Sequence, residues 1–444
     1  MSRAAAGRSP PAAGESMTLR IEALADDGRG LARHEGKVMF VEGTLPGELV
    51  RVRPGRRRAS YDEAAAPEIL EPSPERVTPR CVHFDLCGGC QLQHLAPGAQ
   101  LAYKQQQLLD NLTRIGRVSP REVLPSLAGP VWGYRRRARL GIKFVRLKGR
   151  TLVGFRERAS RYLADLKRCE VLHPDVGGRL EELAALVDGL HGREGMPQLE
   201  VAVGDDLTAL VLRHFQPLDE HDRERLQTWA QAQGIAFYLQ PGGADSIAPL
   251  WPPAPRLSFS LPAHGVTLDF QPADFIQVNA AMNAAMVNQA LALLDVQPGD
   301  SVLDLFCGLG NFSLPLARRA ARVTAVEGDA GLVARARENA RQNGIENLSF
   351  HAANLEDDPR LYPWHAQPHA RWLLDPPRAG AMNLVTHLPK SRPQRIVYVS
   401  CHPATLARDA GILDQQGYRL SAVGVMDMFP HTTHVESIAV FDAA

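Results

Sequence analysis

The chain has 444 residues, 45% of them hydrophobic and 22% charged, with a formal net charge of +1. Length and composition suit a globular protein of two to four domains, at the usual ~100–200 residues each. They exclude nucleic-acid binding driven by overall charge, so any such binding must come from local patches; with no apolar run near the ~18 residues a bilayer requires, they also exclude a helical membrane span.

Met1 to Gly14 is rich in Ala, Arg and Pro and has no apolar stretch of the kind a signal peptide carries. Pro10-Pro11 breaks any amphipathic helix there. Residues 1–16 are therefore expected to form a disordered tail on a cytoplasmic protein.

From Met17 the pattern is that of a small β-barrel. Leu19, Ile21 and Ala23 alternate with polar residues, Asp27-Gly28 and Leu45-Pro46-Gly47 mark turns, and Val38 to Val41 reads as a buried strand. Val50 and Val52 alternate with Arg51 and Arg53, and Arg51 to Arg58 holds five arginines in eight residues. A charge run is usually a solvated face, but an Arg-rich hairpin on a small barrel is also a common way to grip phosphates.

Cys81, Cys87 and Cys90 then supply three thiolates on a short, glycine-containing loop, in the spacing Cys-x5-Cys-x2-Cys. Cys169 is the remaining cysteine before Cys307 and Cys401. Outside an oxidising compartment such a cluster calls for a metal rather than disulfides. Four thiolates suit zinc or an iron–sulfur cluster, and spacing alone does not separate the two.

Gln100 to Ile115 is predicted to be a helix with Leu101, Leu108, Leu109, Leu112 and Ile115 on one face. Between Gly133 and Leu152 follow eight basic residues and no acidic one, interleaved with apolar and aromatic residues. That pattern predicts a strand pair, and one-sided charge with aromatics suits single-stranded nucleic acid. Residues 170 to 270 read as mixed α/β and say little more.

Phe275-Ile276-Gln277-Val278-Asn279 leads a predicted helix, Ala280 to Leu293. Thereafter strands and helices alternate. The predicted strands are Ser301–Phe306, Arg322–Glu327, Leu348–Ala353, Trp372–Leu374 and Arg395–Ser400, closed by an antiparallel pair, Arg419–Met426 and Val435–Phe441. In a doubly wound sheet of this kind ligands lie over the carboxyl ends of the strands. Those ends carry Asp304, Glu327, Asn354, Asp375 and Cys401. The Gly308-Leu309-Gly310 turn lets backbone approach a ligand, and Glu327 can accept both hydroxyls of a ribose. NAD is the rival ligand, but NAD sites usually want a third small residue, and Ser313 stands in the sixth place. Asp304 before the turn and Asn311 after it favour S-adenosylmethionine.

Asp375-Pro376-Pro377-Arg378 puts Arg378 where amine methyltransferases often carry a stacking aromatic, so the target is not read as an amine. Cys401 at the end of its strand is a candidate nucleophile. Thiolate addition at carbon six of uracil makes carbon five nucleophilic enough to take a sulfonium methyl. Glu436, on the last hairpin, is the candidate base for the proton then removed from carbon five.

Together these motifs resemble the RNA uracil-5-methyltransferases, in the iron–sulfur branch that bears an N-terminal TRAM barrel and modifies large-subunit ribosomal RNA. They are the Cys81/Cys87/Cys90 run ending in Gln91-Leu92-Gln93-His94, Phe275 to Asn279, Asp304 to Asn311, Leu374 to Arg378, Ser400-Cys401, and Met428-Phe429-Pro430-His431 leading to Glu436. The resemblance implies a Rossmann-like class I methyltransferase domain, an OB-like TRAM β-barrel and a mixed α/β central domain. Their expected limits are 17–78 for the barrel, 79–98 with 133–274 for the central domain, and 99–132 with 275–444 for the catalytic domain. It implies a [4Fe-4S] cluster on Cys81, Cys87, Cys90 and Cys169. It implies a donor site lined by Gln277, Phe306, Asn311, Glu327, Asn354 and Asp375, with Cys401 as nucleophile and Glu436 as base. The implied partner is 23S ribosomal RNA, with no DNA or membrane, for a monomeric enzyme. Sister branches act on another uridine of that RNA or on transfer RNA; the N-terminal barrel argues against both. Where the family commonly has Asn after the nucleophile, this chain has His402, which leaves the local hydrogen bonding open.

Overall fold

The alternation that begins at Met17 is realised as six strands: β1 (Met17–Arg20), β2 (Ala23–Leu24), β3 (Gly30–His34), β4 (Lys37–Val41), β5 (Leu49–Arg57) and β6 (Tyr61–Glu71). A computed structural model describes residues 16–444, the side chains of residues 65 and 66 excepted, so the expected tail lies, but for Ser16, outside the described residues. By their internal contacts the residues form two units. Unit one is the chain up to Phe84 with Cys90–Tyr103 and His431–Thr433; unit two is Asp85–Gly89, Lys104–Pro430 and His434–Ala444.

In unit one the strands pair in the order β1-β5-β6-β4-β3-β2. Period-two alternation turns Leu19, Ile21, Ala32, Met39, Val41, Val50 and Val52 into one apolar core. The fully buried Glu48 carboxylate accepts from the backbone N–H of Leu45 (2.8 Å) and Ser73 (3.2 Å) and from the Arg76 guanidinium (2.5 Å). A buried charge satisfied this way costs little, and it pins the chain leaving the barrel.

Unit two contains two large sheets. After the short β7 (Glu122–Val123), the first is built from β8 (Arg137–Val145), β9 (Arg150–Gly154), β10 (Gln198–Val203), β11 (Thr208–Arg213), β12 (Ala236–Gln240) and β13 (Ala248–Trp251), in the order β13-β12-β11-β10-β8-β9. The strand pair expected around the basic run is the antiparallel hairpin β8–β9. β11 and β12 run parallel, as the intervening helix Glu220–Gln233 allows. A small hairpin follows, β14 (Leu257–Leu261) with β15 (Val266–Phe270).

The second sheet has eight strands in the order β18-β17-β16-β19-β20-β22-β21-β7. They are β7 (Glu122–Val123), β16 (Ser301–Leu305), β17 (Arg322–Glu327), β18 (Leu348–Ala352), β19 (Arg371–Leu374), β20 (Arg395–Ser400), β21 (Tyr418–Met426) and β22 (Glu436–Ala443). β16 to β20 are mutually parallel where they pair, and β22 is antiparallel to β20 and β21. The apolar runs are continuous because the strands are covered on both faces. Leu303, Leu305, Val326, Leu373 and Val397 are wholly buried, each worth roughly 1.5–3 kcal/mol of transfer free energy. The strand order reverses at β16, between β17 and β19, which opens a crevice over the carboxyl ends there.

The helix predicted over Gln100–Ile115 is α1 (Pro97–Asn111), followed by a π-helical turn, Leu112–Gly116. The wider turn advances the phase of the helix, and Ile115 is 48% exposed rather than on the apolar face. The buried residues along this stretch are Gln100, Lys104, Leu108 and Leu112, at four-residue spacing.

Candidate active site

The carboxyl ends of β16, β17, β19 and β20, with the start of β22, surround a cavity of about 500 Å³. All its lining residues belong to unit two. The β16 end is shaped by backbone. Phe306 adopts φ +67°, unusual for a bulky residue. It is held there by its N–H donating to the Val326 carbonyl at 2.9 Å. Gly308 and Gly310 follow at φ +55° and +94°, and a Cβ on Gly310 would collide with the Leu314 side chain. The Gly308 N–H donates to one oxygen of Glu327 (3.0 Å), and the Asp329 N–H to the other (3.0 Å). The carboxylate at the end of β17 is thus fixed at the cavity edge.

Five of the six expected donor-site residues line this cavity: Gln277, Phe306, Asn311, Glu327 and Asp375. Asn311 is fixed by a reciprocal amide pair with Asn283 of helix Ala280–Leu294, at 2.8 and 2.9 Å. Asn354 does not line it. That residue is exposed, and its side chain caps its own turn, bonding Asp357 and the Glu356 N–H. Asp304 lies beneath the cavity floor, fully buried, accepting from the Ser313 hydroxyl.

Cys401 and Glu436 open on the same cavity. The sheet register places them. Ser400 of β20 pairs with Ser437 of β22; one residue further along each strand come Cys401 and Glu436. His402 settles the question its position raised. Its Nδ1 accepts from the Thr405 N–H (3.4 Å), so it caps helix Pro403–Gln415. Pro403, its missing N–H harmless in a first turn, follows.

The wall is crowded with acid. Burial, the field of Asp375 and only partial relief from Lys104 and Arg378 push the Glu436 carboxyl up to about 8. Burial pushes Asp375 up to about 7, and burial outweighs the Ser313 hydrogen bond to put Asp304 at about 7. Burial, with Glu436 and Asp375 nearby, lifts the Cys401 thiol to about 11. Negative charge is costly throughout this cavity, and a cationic ligand would relieve it.

Sequence reasoning missed several residues here. Phe429 and His434 line the cavity, their rings 5.3 Å apart, and the Arg378 guanidinium lies 2.8 Å from His434 Nδ1. Lys104 is wholly buried, its ammonium 2.7 Å from Asp427 and 3.0 Å from the Phe429 carbonyl. A lysine four residues before Leu108, on the stripe that includes Leu112, was the available signal.

Of the expected metal ligands, Cys87 and Cys169 belong to unit two, each half-buried against the core of the first sheet. The Gly89 N–H points at Cys87 Sγ (3.4 Å), and a Cβ on Gly88 would press on the carbonyls of Arg156 and Glu157 (3.3 Å). Cys81 and Cys90 belong to unit one; the Cys81 N–H donates to Gln93, and Cys90 is buried.

The two basic runs differ. Of the barrel hairpin, Arg51 is bound to Glu68 (2.6 Å); among the described residues Arg53, Arg56, Arg57 and Arg58 have no ion pair within 4 Å, and all four are exposed. In the second run Arg136 meets Asp205, Arg137 and Arg139 meet Glu200, Arg146 meets Glu194, and Lys148 and Arg150 share Asp165. Most of the charge of this run is thus paired with acids from other strands and loops.

Comparison with known proteins gives two family matches: the tRNA (Uracil-5-)-methyltransferase model over residues 260–357 and 367–443, and the TRAM domain over 12–53. A 23S rRNA (uracil(1939)-C(5))-methyltransferase RlmD of Xanthomonas axonopodis pv. citri is 55% identical over 94% of this chain and 95% of its own. One of the same name from Xylella fastidiosa is 53% identical, over 96% and 97%. Among solved structures, the tRNA (uracil-54, C5)-methyltransferase of Pyrococcus abyssi in complex with S-adenosyl-L-homocysteine superposes with a TM-score of 0.74. It shares 25% identity and covers 96% of this chain and 99% of its own.

Proposed function

The chain belongs to the RNA uracil-5-methyltransferase family, and on that premise we propose that it methylates carbon five of one uridine in 23S ribosomal RNA, the position that its relatives' names give as 1939. The observation that carries the reading is that Cys401 and Glu436, one step beyond a paired rung of β20 and β22, open on the cavity that the glycine turn and Glu327 also line.

The cavity fits S-adenosylmethionine. Gly310 leaves no room for a Cβ beside the turn, Glu327 is held at the cavity edge, and the acidic wall suits a cation. Gln277, Phe306, Asn311, Glu327 and Asp375 would hold it, with Asn354 reaching it only from outside the present lining. Bound there, it supplies an electrophilic methyl on a positively charged sulfur. The chain's own residues do the rest. The Cys401 sulfur, as thiolate, adds to carbon six of uracil, and the electron pair moves to carbon five, which takes the methyl. Glu436, ionised, accepts the carbon-five proton, and the pair left behind expels the Cys401 thiolate and restores the ring. The target base must be turned out of its stack to reach the cavity; Phe275, 71% exposed at the rim, offers a face for it.

Cys81, Cys87, Cys90 and Cys169 supply in number the four thiolates that a cluster needs, and the N–H aimed at Cys87 is of the kind that stabilises a thiolate ligand. They would hold a [4Fe-4S] cluster of structural role, remote in sequence from Cys401. Protein purified without oxygen should be brown with about four irons per chain; stoichiometric zinc without colour would refute this. The exposed Arg53, Arg56, Arg57 and Arg58 are suited to meet RNA phosphates. The described residues contain no helix long and apolar enough to cross a membrane, in keeping with a cytoplasmic enzyme.

The test is to incubate Glu436→Gln with S-adenosylmethionine and 23S ribosomal RNA. A protein–RNA adduct that survives a denaturing gel should accumulate, crosslinked at one uridine, and Cys401→Ala should show neither adduct nor turnover. Full activity in Cys401→Ala ends this reading. A crosslink to transfer RNA, or to a different uridine, moves the enzyme to a sister branch.

A further inference from the structure

Lys104 lies on the buried stripe of α1 with its side chain wholly inside. Its ammonium donates to Asp427 at 2.7 Å and to the Phe429 carbonyl at 3.0 Å. The segment it grips is held at both ends. The Asp427 N–H donates to the Leu127 carbonyl (2.9 Å), and the Tyr134 hydroxyl to the Pro430 carbonyl (3.1 Å). This segment leaves β21 and carries Phe429 to the cavity wall beside His434 and Glu436. A buried lysine is expensive, and burial does pull its ammonium below the ordinary range, opposed by Asp427 and Glu436.

Several charged or titratable groups face Glu436. Asp375 and Arg378 come from the loop after β19, Cys401 from the end of β20, His434 from its own strand's approach, and Lys104 from α1 with Asp427 behind it. The cations that act on it are Lys104 and Arg378. Arg378 is exposed and engaged with His434, so solvent screens its charge; that of Lys104 is out of solvent and shared with Asp427.

We propose that Lys104 is a positioning residue for the proton-abstraction step: through Asp427 and the Phe429 carbonyl it fixes the segment that carries Phe429 to the cavity, and its buried positive charge favours the ionised form of Glu436 that receives the carbon-five proton. The proposal rests on the Cys401 and Glu436 reading above. It separates two roles that a buried ion pair can have. A lock alone changes stability; a charge that serves the base changes the pH at which the base works.

The experiment measures turnover and trapped adduct from pH 6 to 10. Lys104→Met/Asp427→Asn removes both charges, so no lone buried ion is left to unfold the protein. Its half-maximal turnover should move up by about one pH unit, which at pH 7 is roughly a tenfold loss. Adduct should accumulate at pH 7 and clear at pH 9. Lys104→Arg, which keeps the charge, should follow the wild type. An unchanged profile in the double variant, with only a lowered melting temperature, would overturn the proposal. Glu436→Gln is run alongside. If it traps no adduct at any pH, the reaction reading itself has failed; if it traps adduct while the other profiles stay put, only the role of Lys104 has failed.

Discussion

The hairpin β5–β6 and the hairpin β8–β9 look alike in sequence: both are short, rich in arginine and interleaved with apolar residues. In the folded chain they are different objects. Arg53, Arg56, Arg57 and Arg58 stand exposed with no side-chain ion pair within 4 Å among the described residues, the Arg58 N–H alone donating to Asp62, whereas Arg136, Arg137, Arg139, Arg146, Lys148 and Arg150 each have one. Lys143 is the exposed exception. Charge that is already matched has little left to offer a phosphate, because binding must first give up the intramolecular partner. What a basic run can do therefore depends on where the acids of the rest of the chain arrive.

The largest expected effect tests the exposed member. Replacing Arg53, Arg56 and Arg58 by alanine should weaken RNA binding and lower the slope of log affinity against log salt by up to roughly 2, at about 0.7 per lost phosphate contact. An unchanged slope in filter-binding titrations would make the two hairpins equals after all. A smaller effect tests the matched member from the other side. Asp165→Asn releases Lys148 and Arg150 together, so the same titration should steepen, by about 1.4 at most, and binding should tighten. If it does not, pairing is not what silences this hairpin.

The smallest effect is in stability. The Lys148 hydrogen bond, then that of Arg150, holds the Asp165 carboxyl below its ordinary value of 3.8. A depressed carboxyl stabilises the fold above that pH and loses its contribution as pH falls through the folded value. Lys148→Met/Arg150→Met should thus lower stability at pH 7 by no more than about 1 kcal/mol, these being part-exposed pairs. The difference from wild type should shrink in urea titrations as pH falls below 3.8 and vanish once the folded carboxyl is protonated. A loss that persists in acid would mean that packing of the two stems, not charge, was removed.

The same contrast explains what could be read before folding. The parallel strands β16 to β20 match their predicted spans to within a residue or so, because runs such as Ser301-Val302-Leu303 are buried on both faces and carry their own signal. Glu327, Asp375 and Cys401 sit at strand ends, so chain position alone points them at one crevice. The partners of the arginines were not legible. Arg139 meets Glu200 because those two residues face each other across β8 and β10, and that follows from a strand order that local pattern does not encode. Lys104 was hidden for a related reason. A lysine among leucines reads as the wet side of a helix until the fold shows which side is wet. Asn354 differs from them, being at a strand end with its side chain engaged in capping its own turn. The two-residue strand β7 is too short to announce itself at all.

The rung formed by Ser400 and Ser437 has a consequence for how this enzyme tolerates change. The spacing of nucleophile and base is gauged by a backbone ladder, not by the helix and strand that lie between them in the chain. Lengthening the turn after Gln415 or before Tyr418 can alter those elements without moving either group. A slip of β22 by a single residue would instead carry Glu436 to the opposite face of the sheet, leaving a thiol that can attack and no group to finish the turnover. Variation along this stretch is therefore divided sharply: free in length at the turn between helix and strand, and rigid in count along the strands.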